Sequence, residues 1–212
     1  MPTIVDIEFR RSRPERFIVH LDSGEVHVVS PETALKYGFA LNRRFEESEL
    51  YRILDEDEVR RAKDQALRYL ENRPHSRHEL MMKLRRKGYR QQAARQALAE
   101  LEKVNLIDDR AYARLYIESE LKRSPCSRTV LRHRLREKGI APEVSEALLE
   151  EFFSALSEEE LARQVAEKFL RTNRHLAPLK QKQRLIRLLQ SRGFSWEVIE
   201  TLLPRSPESP SP

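Results

Sequence analysis

The sequence predicts a mainly α-helical chain: three tandem three-helix repeats forming an elongated, curved stack, preceded by a small N-terminal module that contains β-strands. Two observations carry this. Three stretches end in an apolar residue, a basic-rich step, a glycine and a bulky hydrophobe: Leu84-Arg85-Arg86-Lys87-Gly88-Tyr89, Leu135-Arg136-Glu137-Lys138-Gly139-Ile140 and Leu189-Gln190-Ser191-Arg192-Gly193-Phe194. Their glycines lie 51 and 54 residues apart, a period that belongs to a repeated helical unit. The second observation is the apolar pair four residues apart before each glycine: Leu80 and Leu84, Leu131 and Leu135, Leu185 and Leu189. Such a pair shares one helix face, so each middle helix buries one stripe.

The N-terminal module comes first. Ile4 to Phe9 and Arg16 to Leu21 alternate apolar and polar residues, and Asp22-Ser23-Gly24 then turns the chain into Glu25 to Val29, which predicts an antiparallel meander. In this reading His20 and His27 face each other across the hairpin at the surface. Ser30-Pro31-Glu32 starts a helix that Gly38 can end, and Glu46 to Leu54 predicts another short helix. Asp55 with Glu58 has the spacing of an acidic capping box, which places the start of the first long helix near Glu56.

Each repeat then opens with alanine and an aromatic three residues on, as in Ala66 and Tyr69, Ala113 and Tyr116, Ala166 and Phe169. The glycine suits the position after the middle helix, where a left-handed backbone is needed. A third apolar-periodic run follows each glycine. The boundaries read as 1–57 for the module, 58–107, 108–155 and 156–203 for the repeats, and 204–212 for a proline-rich tail too poor in apolar residues to fold.

Composition narrows the class. Charged residues make up 35% of the 212, and no apolar run approaches the ~20 residues of a membrane span. The N-terminus lacks the basic start and apolar core of a signal peptide, and the single Cys126 cannot form an internal disulfide. A cytoplasmic, monomeric protein without membrane association is expected, and repeats that contact only their neighbours need no central core.

Charge begins to indicate function. Residues 1–60 hold 9 basic and 13 acidic side chains, whereas the remainder holds 31 and 21. The windows Ser76–Gly88, Ser127–Gly139 and Lys180–Gly193 each carry five basic residues, against one, one and no acidic ones. Positive charge repeated in each middle helix is the pattern of a surface that tracks a polyanion. The candidate contacts are Arg77, Lys83, Arg85 and Arg86 in the first repeat, Arg128, Arg132, Arg134 and Arg136 in the second, and Lys180, Lys182, Arg184 and Arg187 in the third. Arg77, Arg128 and Lys182 stand out. Each follows Ser76, Ser127 or Gln181 in what reads as a first helical turn, where the dipole disfavours a cation unless an anion lies nearby. Lys87, Lys138 and Arg192, one residue before their glycines, instead compensate a helix C-terminus.

Other chemistry finds no carrier. His75 and His78 lack carboxylate or thiol companions at metal-site spacing, and Asp108-Asp109 precedes a helix that Asp would cap. Tyr69, Tyr116 and Phe169 sit at core spacing. No glycine-rich phosphate loop, nucleophile elbow or zinc signature occurs, so no enzyme activity, cofactor or metal is expected.

Leu106-Ile107-Asp108-Asp109-Arg110-Ala111-Tyr112-Ala113, followed by a basic helix and the Leu-Arg-Glu-Lys-Gly-Ile step, resembles the signature of the RecX family of bacterial recombination regulators. The likeness covers roughly residues 58–203. It implies tandem three-helix repeats and a non-enzymatic modulator that lies in the groove of the RecA recombinase filament on single-stranded DNA, restraining ATPase and strand exchange. By the same resemblance the partners are the RecA filament with single-stranded, and also double-stranded, DNA, in recombination, repair and the SOS response. The residues alone leave two alternatives. One is an independent helix-turn-helix-like nucleic-acid-binding protein, and the other a helical protein-interaction scaffold.

Overall fold

A computed structural model describes residues 1–11 and 14–203; the tail expected at 204–212 lies outside the described residues. The chain divides into two compact units, Met1–Ile107 and a second beginning at Asp108.

The first unit opens with β1 (Ile4–Arg10), β2 (Arg16–Leu21) and β3 (Val26–Val29) in a three-stranded antiparallel sheet of order β1-β2-β3. Gly24, at φ +85°, makes the left-handed turn between the last two. His20 pairs with Val26 and His27 with Val19, so the two histidines are one residue out of register. Alternation along the strands puts them on opposite faces, and His27 packs edge-on to Tyr51 instead. Helix α1 (Pro31–Tyr37) is capped by Ser30, whose hydroxyl accepts from the Thr33 amide, and ends at left-handed Gly38. Ile4, Val19, Leu21, Val29, Phe39, Phe45, Leu50 and Ile53 form the core beneath the sheet.

Helix α2 differs from expectation. It runs unbroken over Glu47–Asn72, where a short helix and a separate start near Glu56 were expected. No glycine or proline interrupts the segment, and Asp55 and Glu58 do not cap. Their carboxylates turn sideways to Arg90, whose amide and guanidinium donate to Glu58 and whose Nη2 lies 2.5 Å from Asp55. Asp57, fully buried, accepts from the Ser30 hydroxyl at 2.5 Å and from Arg61 Nε at 2.6 Å. At about 1.5 Å per residue the helix passes from the module's core, through Leu50 and Ile53, to a second core containing Ala62 and Ala66. That core is completed by α3 (Arg77–Arg86), through Leu80 and Leu84, and α4 (Gln91–Lys103), through Ala94, Ala97, Leu98 and Leu101.

The second unit holds α5 (Asp109–Arg123), α6 (Arg128–Glu137), α7 (Pro142–Ala155), α8 (Glu158–Thr172), α9 (Pro178–Ser191) and α10 (Trp196–Leu202). Asp108 caps α5 by accepting from the Arg110 and Ala111 amides. All six helices share one core, to which Ile117, Leu131, Leu135, Leu148, Leu161, Leu185, Leu189 and Ile199 contribute.

The glycine turns are alike in detail. Gly88, Gly139 and Gly193 have φ of +90°, +73° and +78°. In each turn the next residue returns its amide to the last leucine: Tyr89 to Leu84, Ile140 to Leu135 and Phe194 to Leu189. That pattern satisfies carbonyls a helix end would leave free. Only at Gly193 is space also limiting among the glycines whose surroundings are described. A Cβ there would come within 2.5 Å of both Ser127 Oγ and Val130 Cγ2, whereas at Gly88 it would meet nothing within 4 Å. We expect Gly88→Ala to cost about 1–2 kcal/mol from the left-handed backbone, and Gly193→Ala to lower the thermal midpoint further. Equal midpoints for the two variants would contradict the close approach.

Candidate nucleic-acid interface

The twelve candidate cations fall into two groups once their neighbours are known. Arg77 and Arg128 do stand in first turns, after the capping hydroxyls of Ser76 and Ser127. The anion that compensates each belongs to the chain itself. Arg77 Nε lies 2.9 Å from Glu102 on α4. The Arg128 amide donates to Glu158 at 2.8 Å, while its guanidinium reaches Glu150 at 2.8 Å and Glu146 at 3.3 Å. Lys182 is not equivalent to them. Helix α9 begins at Pro178 after Ala177, because proline's fixed φ and missing N–H suit the first position, and Lys182 therefore stands in the second turn.

Three more are committed internally. Arg132 pairs with Glu146 at 2.5 Å, and this guanidinium, followed by Arg128, holds the Glu146 carboxyl below its usual range. Arg134 pairs with buried Glu120, which also accepts from Arg123 at 2.6 Å. Lys83 turns inward: its ammonium lies 3.0 Å from His75 Nε2 and 4.6 Å from the centre of the Tyr69 ring.

Seven remain outward. Arg85, Arg86, Arg136, Lys180, Arg184 and Arg187 are exposed and Lys182 half-buried. None of the seven makes an ion pair among the described residues. Helix α9 contains no acidic residue at all, so its four cations face solvent with their charge unmatched on their own helix. Leu185 and Leu189 hold the opposite face in the core.

The structure adds cations that the repeat pattern did not offer as contacts. Two adjoining grooves run along α8, with volumes of about 330 and 750 Å³. Lys122 and Arg123 at the end of α5, Lys168 on α8 and Arg192 line the first; Lys168, Arg171 and Arg174 line the second, where Glu167 is the one acidic lining residue. Arg192 is partly spent on structure, donating to the Ser124 hydroxyl and to the Pro125 carbonyl. Helices α5 and α8 and the residues just past α8 and α9 supply these side chains, so no single periodic run in the sequence displays them. Such an array has the composition of an anion-binding surface and offers no nucleophile, metal set or cofactor cradle.

Other titratable groups lie apart from these grooves. Cys126 is buried, which pushes its thiol up. His75 is buried and engaged with Glu79 and Lys83. The described residues place Asp6, Glu8 and His20 within metal-ligand reach of one another on β1 and β2, exposed or half-buried at the sheet surface.

Burial, opposed by the hydrogen bond to Glu79, holds His75 below its ordinary value of 6.5. The fold therefore binds fewer protons than the unfolded chain as pH drops. We expect the stabilisation from neutral His75 to be complete above about pH 6.5 and to be lost progressively below it. Chemical denaturation between pH 7.5 and 5 should show that loss in the native chain, and a His75→Gln chain should show less of it.

Comparisons with known proteins agree with one another. Models of the first, second and third three-helix domains of RecX match residues 62–101, 108–149 and 157–203. The regulatory protein RecX of Chlorobaculum tepidum is 40% identical over 146 residues, 69% of this chain and 88% of that protein. That of Bacillus licheniformis is 30% identical over 203 residues, 96% of this chain and 77% of that protein. A crystal structure of a regulatory protein RecX superposes with a TM-score of 0.62 at 24% identity, covering 95% of this chain and 98% of that one, and so shares its fold.

Proposed function

The chain belongs to the RecX family of regulatory proteins, and from that premise we propose that it is a non-enzymatic regulator that binds the RecA filament on single-stranded DNA, in the filament's groove, and restrains its ATPase and strand-exchange activities. The observation that carries this reading is the division of the basic residues. Among the described residues, seven cations on the middle helices make no ion pair while the other five are used within the fold. A charged side chain left without an internal partner costs nothing to hydrate, and it gains by releasing counterions from a phosphate backbone.

In this reading Arg85 and Arg86, Arg136, and the four cations of α9 meet phosphate or acidic protein surface. Lys122, Lys168, Arg171 and Arg174 extend the contact within the second unit. Arg77, Arg128, Arg132 and Arg134 act one step back: they tie the middle helices to α4, α5 and α7 and so hold the outward set in place. None of the helices is long and apolar enough to cross a membrane among the described residues, which suits a partner in solution.

The test is ATP turnover by the cognate RecA filament on single-stranded DNA as the protein is titrated in at two salt concentrations. Inhibition should be substoichiometric and weaken with salt. Replacing Lys180, Lys182, Arg184 and Arg187 together by Gln should raise the half-inhibitory concentration at least about tenfold and lower the salt slope by about 0.7 for each phosphate no longer neutralised. Arg77→Ala should leave the slope unchanged, since its charge is already matched by Glu102. Undiminished inhibition by the fourfold variant would remove α9 from the contact surface.

A further inference from the structure

Glu79, His75 and Lys83 form a linear relay where α2 hands over to α3. Glu79 Oε2 lies 3.0 Å from His75 Nδ1, and His75 Nε2 lies 3.0 Å from Lys83 Nζ. Only one neutral tautomer satisfies both contacts: Nδ1–H donates to the carboxylate, which leaves the Nε2 lone pair for the lysine. A nucleophile beside a base that a third group orients is the arrangement of an activated nucleophile. The imidazole is sealed from solvent, with 1% of its side chain exposed, whereas Lys83 is only half-buried. Tyr69 packs edge-on to the imidazole and beneath the ammonium. Arg73, half-exposed, donates to the same Glu79 oxygen at 3.3 Å, so a second cation stands beside the relay.

We propose that Lys83 is a covalent acylation site, with His75 as the proton acceptor, Glu79 as the group that orients it, and an acyl phosphate as the donor. The Lys83 ammonium loses one proton to solvent, and the amine N–H then donates to His75 Nε2. The amine nitrogen attacks the acyl carbonyl and becomes cationic as the C–N bond forms; His75 Nε2 takes the proton that this nitrogen must shed and passes it to the phosphate, which leaves as hydrogen phosphate as the C–O bond breaks. Arg73 supplies the positive charge that the phosphoryl oxygens meet. Burial and the nearby Arg73 both hold Lys83 below the ordinary lysine range, which raises the fraction of free amine. The product amide is neutral, so it removes the cation from the Tyr69 face and one positive charge from α3. This site is inferred independently of the filament-binding reading.

Full-length protein incubated with acetyl phosphate and followed by quantitative peptide mass spectrometry tests the proposal. Lys83 should be acetylated at least about tenfold faster than Lys180, which is exposed and has no base beside it. His75→Gln, shown to be folded by circular dichroism, should bring Lys83 down to the rate of Lys180 while leaving Lys180 unchanged. In the native chain the ratio of the two rates should collapse as pH falls and His75 protonates, a readout that depends on no variant folding. Equal rates at neutral pH, or a Lys83 rate indifferent to His75, would overturn the assignment.

Discussion

A left-handed residue after each middle helix is the constraint from which the repeats follow. At Gly88, Gly139 and Gly193 the backbone reverses with φ between +73° and +90°. The following aromatic or isoleucine returns its amide to the helix. Because that reversal is tight, the hydrophobe after the glycine drops beside the same core that the two leucines of the middle helix fill. Tyr89 packs against the core of the first unit, and Ile140 and Phe194 are buried in that of the second. A middle helix held by two leucines on one side has its remaining faces free for charge, and those faces carry the arginines and lysines.

The charge on those faces is not uniform in purpose. Arg128, Arg132 and Glu146 form a small network between α6 and α7, and Arg134 reaches a carboxylate that is itself buried. Removing Arg134 would leave the desolvated Glu120 with only the exposed Arg123 to compensate it, which is costly. The exposed pairs, such as Arg77 with Glu102, contribute little each. The outward cations of α9 have no such duty. The basic helices therefore carry both a scaffold and a set of free charges, with the division set by which neighbouring helix happens to offer an acid.

Much of the helical architecture was legible because it is written locally. Leucine pairs four residues apart, a glycine and a hydrophobe all report on the turn in which they sit. Asp108 capped its helix as its position suggested. What was not legible depended on distant partners. Asp55 and Glu58 have the spacing of a capping box, and only Arg90, 35 residues from Asp55, turns them into mid-helix ligands. Arg77 and Arg128 were noticed for an electrostatic anomaly that is real, yet the anions that answer it come from α4, α7 and α8, so they carried no sequence signal. Helix α9 starts about one turn before the place that Gln181 and Lys182 suggest, because Pro178 takes the first position. The α8 grooves carry no sequence signal of their own, because their cations come from α5, from α8 and from the residues just past α8 and α9.

Helix α2 has a consequence for how such a chain can be divided. The stretch shared with the first three-helix domain begins at residue 62, but the helix that carries it begins at Glu47, and its early turns belong to the core of the sheet module. The boundary that homology draws thus falls inside a continuous rod. A relative without the module must begin this helix afresh, with a new cap and another answer for the buried positions of Asp57 and Glu58. Gain or loss of the module in evolution is then a rewriting of a helix end.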